Sequence, residues 1–164
     1  MAKQREEKTN VMRILEQKGI AYTPHTYEHE EGVAVDGVTV ARQLGQDPEC
    51  VFKTLVARGA SKNIYVFVIP VADSLDLKKA ARAVGEKSIE MVAVKEINGL
   101  TGYVRGGCSP VGMKKEYQTT FHETAEIVDT IMVSAGKIGW QVELAPSELM
   151  ELVGAGMADL VVEG

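Results

Sequence analysis

One short segment of the chain, residues 51–55 with the sequence VFKTL, places a lysine among hydrophobic residues. In an extended strand alternate side chains point to opposite faces, so Lys53 shares a face with Val51 and Leu55. An ammonium group is costly to bury beside two hydrophobic side chains unless it meets an anion or a cavity. Alternatively, Lys53 lies at the edge of the strand and extends its ammonium group to water. The segment therefore predicts either an anion-binding site or a solvated lysine.

Two loops are rich in small residues: residues 106–112, with the sequence GGCSPVG, and residues 133–137, with the sequence VSAGK. Glycine allows the backbone to approach a ligand closely, so that several N–H groups can bind an anion or a carbonyl oxygen. Ordinary turns between strands have the same composition, and a solvated Lys137 fits such a turn. Both loops are candidates for ligand binding, and composition alone does not decide between the two interpretations.

Cys108 lies inside the first of these loops and raises the possibility of a covalent cysteine mechanism. No histidine is near it in sequence to activate the thiol, although His25, His29 or His122 can approach it in the fold. Free cysteines commonly fill small apolar spaces. We expect Cys108 to be such a packing residue.

Four familiar motifs do not fit the chain. The hydrolase motif G-x-S-x-G is broken, because Pro110 intervenes and the second glycine comes one residue late. Residues 136–138 lack the upstream glycine and the Ser/Thr of a phosphate-binding loop, and residues 154–156 lack the third glycine of a dinucleotide-binding motif. His25 and His29 are four residues apart, but a zinc site needs more nitrogen or thiolate ligands. The sequence predicts neither a metal site nor a bound cofactor.

Length and charge limit the class of protein. The chain has 164 residues, of which 45% are hydrophobic, and this predicts one domain over residues 1–164. Eighteen basic and twenty-three acidic side chains give a net charge of −5, which argues against a strong, free-standing nucleic-acid binder. A weak contact through a local basic patch remains compatible with this charge. The basic clusters are Lys78, Lys79, Arg82, Lys114 and Lys115.

The cysteines and the apolar runs bear on location. Cys50 and Cys108 form no CxxC pair, so we expect no disulfide scaffold. We expect the protein to lie in the reducing cytoplasm. No segment approaches the ~18 consecutive apolar residues that a membrane helix requires. Residues 1–9 are polar and lack the apolar run of a secretory signal.

Helix and strand patterns alternate along the chain. Capping residues and spacing predict helices after Thr9, over 38–44, after Asp76 and from Pro146 to about 152, with a further helical turn after Asp47. Extended segments are predicted over 21–27, 52–58, 64–70, 88–92, 102–105, 131–133, 141–144 and 158–162, with 52–58 and 64–70 forming a hairpin. Short strands interleaved with short helices predict a single α+β domain with a mixed, barrel-like β-sheet and short flanking helices.

Taken in order, six segments resemble the YbaK family. They are residues 25–29, 51–55, 75–80, 101–103, 106–112 followed by Lys114 and Lys115, and 133–137. Each is weak alone, but their order and spacing are specific, and the resemblance covers residues 10–158. It implies an α/β domain related to the editing insertion of bacterial prolyl-tRNA synthetases. It also implies hydrolysis of cysteine from Cys-tRNA(Pro), with Cys-tRNA(Cys) as a second substrate, no metal and no cofactor.

The resemblance also implies site residues. Lys53 matches the family's essential lysine, and Gly106 and Pro110 match the ends of its G-x-x-x-P loop. Catalytic roles then fall to Lys53, Gly106 and Ser134, and substrate-binding roles to Tyr27, Thr54, Gly107, Cys108, Ser109, Pro110, Gly136, Lys137 and Gln141. Gln141 departs from the family, which has an acid there, so this side chain cannot act as a base.

The mechanism that the resemblance implies needs no nucleophile from the enzyme. The substrate's own thiol attacks its ester carbonyl, which releases tRNA and a thiolactone that water opens. The expected partners are aminoacyl-tRNA and prolyl-tRNA synthetase, and no membrane. Two alternatives stay open: a sister deacylase for Ala-tRNA(Pro) or another small residue, and a non-catalytic module that binds tRNA acceptor ends or a synthetase.

Overall fold

Strands and short helices alternate along the computed structural model, which describes residues 8–163. Within that range there are five α-helices: α1 Asn10–Gln17, α2 Gly37–Gln43, α3 Leu77–Val84, α4 Val94–Thr101 and α5 Pro146–Val153. The eight strands of the same range are β1 Tyr22–Thr26, β2 Phe52–Gly59, β3 Ile64–Pro70, β4 Ile89–Met91, β5 Gln118–His122, β6 Ile131–Ser134, β7 Trp140–Leu144 and β8 Gly156–Ala158. Two short 3₁₀ turns, Pro48–Cys50 and Glu123–Glu126, complete the elements.

The strands form two sheets. One has the order β1-β7-β6 and is antiparallel; the other has the order β4-β2-β3-β5-β8 and is mixed, because β5 runs parallel to both β3 and β8. A single parallel bridge between Val51 and Met132 joins the start of β2 to β6. The α+β class and the mixed sheet are thus confirmed, and the two sheets meet without closing into a barrel.

The local signals at helix ends explain why these helices begin and end where they do. The Asp76 side chain accepts hydrogen bonds from the backbone N–H groups of Lys78 and Lys79, and Gly85 ends α3 in the left-handed conformation at φ 76°. Thr9 caps α1 in the same way through Met12 N. These starts and stops confirm the sequence predictions to within a residue.

Strand β3 lies at the centre of the core and is buried on both faces. Val66 and Val68 belong to the hydrophobic cluster that includes residues of α1 and α5, while Phe67 and Ile69 belong to a second cluster that includes Ala80 of α3. Because both faces are covered, β3 and its hairpin partner β2 form a rigid support. The start of β2, where Lys53 lies, is held by this support.

Three predictions of elements were wrong or incomplete. Residues 102–105 are not a strand: helix α4, which was not predicted, ends at Gly102 with φ 86°, and a loop follows. The last extended segment, predicted over 158–162, is strand β8 at Gly156–Ala158, and Val161 makes only an isolated β-bridge with Leu75. Strand β5 was not predicted either, because its pairing partners are distant in sequence.

No helix within residues 8–163 is long and apolar enough to cross a membrane. The prediction of a polar, signal-free start concerns residues 1–9, and residues 1–7 of that segment lie outside the described part of the chain.

Candidate functional site

A cavity of about 810 Å³ lies where the two sheets meet. Seven residues predicted from the sequence line it: Tyr27, Lys53, Thr54, Gly106, Cys108, Ser134 and Gln141. The remaining lining consists of residues 33–37, Val40, Val51, Phe52, Leu55, Val71 and Arg105. Its size suits a small molecule or the end of a larger one.

Four strands position the predicted side chains. Lys53 and Thr54 are the second and third residues of β2. Tyr27 follows β1 directly, and its backbone N–H donates to the Gly139 carbonyl at 2.9 Å. Ser134, the last residue of β6, lies directly opposite Gln141 of β7. Residues more than a hundred positions apart in sequence therefore meet at one cavity.

Lys53 reaches this cavity as a half-buried cation. Burial lowers the pKa of its ammonium group below the ordinary value, and Asp73 partly offsets that shift through its negative charge. Within residues 8–163 the ammonium group makes no hydrogen bond or ion pair. An ammonium group removed from water without a partner favours an anionic ligand or a developing negative charge.

Two of the residues that line the cavity carry side-chain oxygen atoms without hydrogen-bond partners. Thr54 Oγ1 and Gln141 Oε1 are buried, and no described residue forms a hydrogen bond with either. Gln141 as a whole is only 7% exposed, so water is largely excluded from its side chain. Buried polar atoms are nearly always hydrogen-bonded, so we expect water or a polar ligand to complete the hydrogen bonds of this pair.

Replacing either side chain by an apolar one of similar shape separates ligand binding from folding. For Thr54→Val and Gln141→Met we expect the free energy of unfolding to stay the same or rise by up to about 1 kcal/mol, because no protein hydrogen bond is lost. The kcat/KM of the reaction proposed below is expected to fall about 10- to 100-fold, the order for one lost hydrogen bond to a charged group.

Thr124 supplies a matched control for this prediction. Its Oγ1 is likewise buried without a partner among the described residues, but it does not line the cavity. Thr124→Val should match Thr54→Val in urea unfolding and keep wild-type activity. Full activity in the Thr54 and Gln141 variants would remove both oxygens from substrate binding.

Gly106 shapes one wall of the cavity. Its φ is +87°, and a Cβ added there would lie 2.7 Å from Ala34 Cβ. Gly107 is less confined, since a Cβ there would lie 3.0 Å from Ile138 N and 3.2 Å from Lys137 Cα, and its φ is not positive. Glycine is therefore required at position 106, where the loop packs against residues 33–37, while position 107 packs closely against the loop of Lys137.

Five predicted site residues lie outside the cavity lining: Gly107, Ser109, Pro110, Gly136 and Lys137. Ser109 is fully buried and its hydroxyl accepts a hydrogen bond from Val111 N, while Pro110 lines a separate cavity of about 430 Å³. Gly136 N donates to the Ser134 hydroxyl at 3.0 Å, which fixes that side chain. These residues shape the two loops, and their contact with a substrate stays a prediction.

The structure also adds residues that the sequence prediction did not include. Arg105 is exposed at the cavity, and its position directly before Gly106 is the signal that could have identified it. Asp36 caps α2, and hydrogen bonds from Thr39 lower the pKa of its carboxyl group. Residues 33–35 add apolar surface to the wall.

Cys108 lines the cavity but is poorly suited to act as a nucleophile. Burial raises the pKa of its thiol to about 11, so almost none of it is thiolate at neutral pH. None of the hydrogen bonds among the described residues joins Cys108 to a histidine: His25 pairs with Glu143 at 2.9 Å, His29 Nδ1 lies 3.4 Å from Tyr27 O, and the buried His122 accepts a hydrogen bond from Leu160 N. In the described part of the chain no group of three His, Cys, Asp or Glu side chains could hold a metal ion.

Comparisons with known proteins agree on one family. The family described as "Aminoacyl-tRNA editing domain" matches residues 32–152. The chain is 42% identical over 164 residues to EbsC of Enterococcus faecalis strain V583, named as a proposed Cys-tRNA(Pro)/Cys-tRNA(Cys) deacylase, and the match covers 99% of each chain.

Solved structures show the same fold. One is the crystal structure of a proposed trans-editing enzyme for prolyl-tRNA synthetase, with a TM-score of 0.79 and 24% identity over 96% of this chain and all of that one. Another is the crystal structure of a hypothetical protein, with a TM-score of 0.82 and 22% identity over 93% of this chain and 99% of that one.

Proposed function

Because the chain belongs to the aminoacyl-tRNA editing domain family, we propose that it hydrolyses the ester that joins cysteine to the 3′ end of tRNA(Pro), with Cys-tRNA(Cys) as a second substrate. The observation that carries the proposal is the cavity lined by Lys53, whose ammonium group is unpaired, and by Thr54 and Gln141, whose side-chain oxygens have no hydrogen-bond partner among the described residues. A relative of the same length, 42% identical and named for this activity, supports the choice of substrate.

Lys53 has the position and charge to stabilise negative charge during the reaction. Ester cleavage places negative charge on the carbonyl oxygen in the transition state, and a preorganised cation in a water-poor site stabilises it strongly. The terminal nucleotide also carries a phosphate that the same ammonium group could bind. Lys53 is therefore the residue on which we expect turnover to depend most.

Thr54, Gln141 and Ser134 are proposed to orient the aminoacyl group. The unpartnered Thr54 and Gln141 oxygens are hydrogen-bond acceptors, and we assign them to the substrate's α-ammonium group. Gln141 lacks the charge of the acid found in the family, but its Oε1 accepts hydrogen bonds with the same geometry. Gly106 is proposed to present its backbone to the aminoacyl carbonyl.

The nucleophile in this proposal is the thiol of the substrate cysteine. Its sulfur attacks the ester carbonyl carbon, the bond from that carbon to the ribose oxygen breaks, and the thiol proton leaves with the ribose oxygen. Water then opens the thiolactone to give free cysteine. The enzyme has to orient the thiol and stabilise the oxyanion, both of which the cavity provides without a nucleophile of its own. The raised pKa of Cys108 supports this division of roles.

Translation requires such a step because cysteine and proline have similar volumes. An apolar synthetase pocket separates side chains of similar size by only ~1–3 kcal/mol, so a second selection is needed after charging. A thiol-dependent reaction achieves that selection chemically, since prolyl-tRNA has no thiol.

A panel of charged tRNAs tests the proposal. The purified protein is incubated with Cys-tRNA(Pro), Cys-tRNA(Cys), Ala-tRNA(Pro) and Pro-tRNA(Pro), and loss of the ester is followed over time. We expect hydrolysis of the cysteinyl esters and none of Pro-tRNA(Pro). Preference for Ala-tRNA(Pro) would identify a sister deacylase, and binding without turnover of any substrate would identify a non-catalytic module.

Prolyl-tRNA synthetase is proposed as the partner that directs the enzyme to tRNA(Pro). The net charge of −5 predicts weak affinity for free tRNA, so selection among tRNAs depends on local concentration. Adding the synthetase to the panel should raise the rate with Cys-tRNA(Pro) more than with Cys-tRNA(Cys). Tight, selective binding of tRNA(Pro) by the protein alone at physiological salt would contradict this role.

A further inference from the structure

Arg105 is an exposed cation at the cavity that no role described so far accounts for. It lies directly before Gly106 in the loop between α4 and β5, and it lines the cavity. Within residues 8–163 its guanidinium group makes no hydrogen bond or ion pair. An arginine in this situation is available for a ligand outside the chain.

The carboxylate of Asp36 does not neutralise the positive charge of Arg105. Asp36 is the one carboxylate among the described residues that line the cavity. Its two oxygens accept hydrogen bonds from Thr39 N at 3.1 Å and Thr39 Oγ1 at 2.6 Å, and Arg42 adds a favourable charge. Asp36 therefore serves the N-terminus of α2, and the cavity retains the positive charges of Lys53 and Arg105.

These two cations lie at different depths. Lys53 is half-buried, whereas Arg105 is exposed. A substrate that places its ester beside Lys53 must leave the cavity as a polynucleotide, and each nucleotide upstream of the last contributes one phosphodiester. Arginine binds phosphate through two parallel N–H donors, which lysine cannot do.

We propose that Arg105 binds a backbone phosphate of the 3′ strand outside the cavity, so that the tRNA end crosses the loop before Gly106 as it enters. The inference rests on the proposed function and assigns Arg105 to binding of the polynucleotide, with Lys53 left to the reacting end. In an acidic protein, this contact is a local source of the affinity for tRNA that the overall charge does not provide.

The test compares Arg105→Gln with the wild type on two substrates. With Cys-tRNA(Pro), KM should rise about tenfold while kcat stays unchanged, and the slope of log(kcat/KM) against log[salt] should become shallower by about one. With the cysteinyl ester of adenosine, which has no upstream phosphate, the variant should equal the wild type. Arg13→Gln, which removes an exposed arginine of α1 outside the cavity, should match the wild type on both substrates.

Wild-type turnover of the two substrates tests the proposed function separately. Binding of an RNA oligonucleotide that ends in CCA tests Arg105 without turnover, and Arg105→Gln should weaken it about tenfold more than Arg13→Gln does. Equal losses on the tRNA and adenosine substrates, equal effects of the two arginine variants, or unchanged oligonucleotide binding in Arg105→Gln would each overturn the inference.

Discussion

The Lys53→Ala variant is expected to lose at least ~100-fold in kcat/KM for Cys-tRNA(Pro), the order observed when one charged transition-state contact is removed. The ammonium group is half-buried, and nothing in the described part of the chain pairs with it. Its hydrogen-bond donors are therefore available for the substrate, although the negative charge of Asp73 acts on it as well. Because partial burial of this cation destabilises the wild-type fold, the variant should unfold at the same or a higher urea concentration.

Matched variants and the pH profile make the Lys53 prediction specific. Lys87→Ala, which removes an exposed lysine that precedes β4 and does not line the cavity, should keep wild-type activity. Burial lowers the pKa of Lys53 below the ordinary lysine value of 10.5, so its charged form is lost at a lower pH than that of an ordinary lysine as pH rises. As pH rises through the range in which Lys53 loses its charge, the ratio of the wild-type rate to the Lys53→Ala rate should fall. Near-normal activity of a folded Lys53→Ala protein would remove Lys53 from the site.

Methylation of the substrate thiol is expected to reduce turnover at least ~100-fold, since the reaction loses its intramolecular nucleophile. S-methyl-cysteinyl-tRNA(Pro) keeps the ester, the α-ammonium group and the tRNA, so its binding should persist. Turnover and binding are measured separately, the first by release of the amino acid in single-turnover reactions and the second by competition with Cys-tRNA(Pro).

The protein's own cysteines provide the opposite test. The double variant Cys50→Ser, Cys108→Ser should keep most of its activity, because a thiol with a pKa of about 11 is ionised to only about one part in ten thousand at pH 7. Cys108→Ala, measured alongside, shows whether any loss comes from packing, since Cys108 is 9% exposed. A correctly folded but inactive double variant, or normal cleavage of the methylated substrate, would contradict the substrate-assisted mechanism.

Local signals in the sequence were sufficient for most elements. Asp76 and Gly85 delimit α3 because capping is decided by neighbouring residues, and the β2–β3 hairpin follows from its two apolar runs. Helix α4 was missed because Asn98 and Gly99 are weak helix formers, and a strand was predicted at its end instead. Strand β5 depends on parallel pairing with β3 and β8, which no local pattern encodes.

The candidate site was predictable in part for the same reason. Lys53 was identifiable because a lysine stands among apolar residues at the start of a strand, whereas Thr54 was assigned only through the family resemblance. Composition marked the loop of residues 106–112 as a whole, but it could not tell which side of the loop faces a cavity. Gly106 and Cys108 line the cavity, whereas Ser109 and Pro110 do not. That distinction depends on how the loop packs against residues 33–37 and 137–138, which is a property of the tertiary structure.

The burial of Cys108 also affects how readily the protein's own thiols exchange with disulfides. Its substrate and product are thiols, and cysteine in a cell exchanges with disulfides by attack of a thiolate on sulfur. A protein thiol beside such a ligand would ordinarily form a mixed disulfide that blocks the cavity. Cys108 has a pKa of about 11, and burial with nearby carboxylates such as Asp47 raises the pKa of Cys50 as well. We therefore expect both protein thiols to exchange more slowly with disulfides than an ordinary cysteine does.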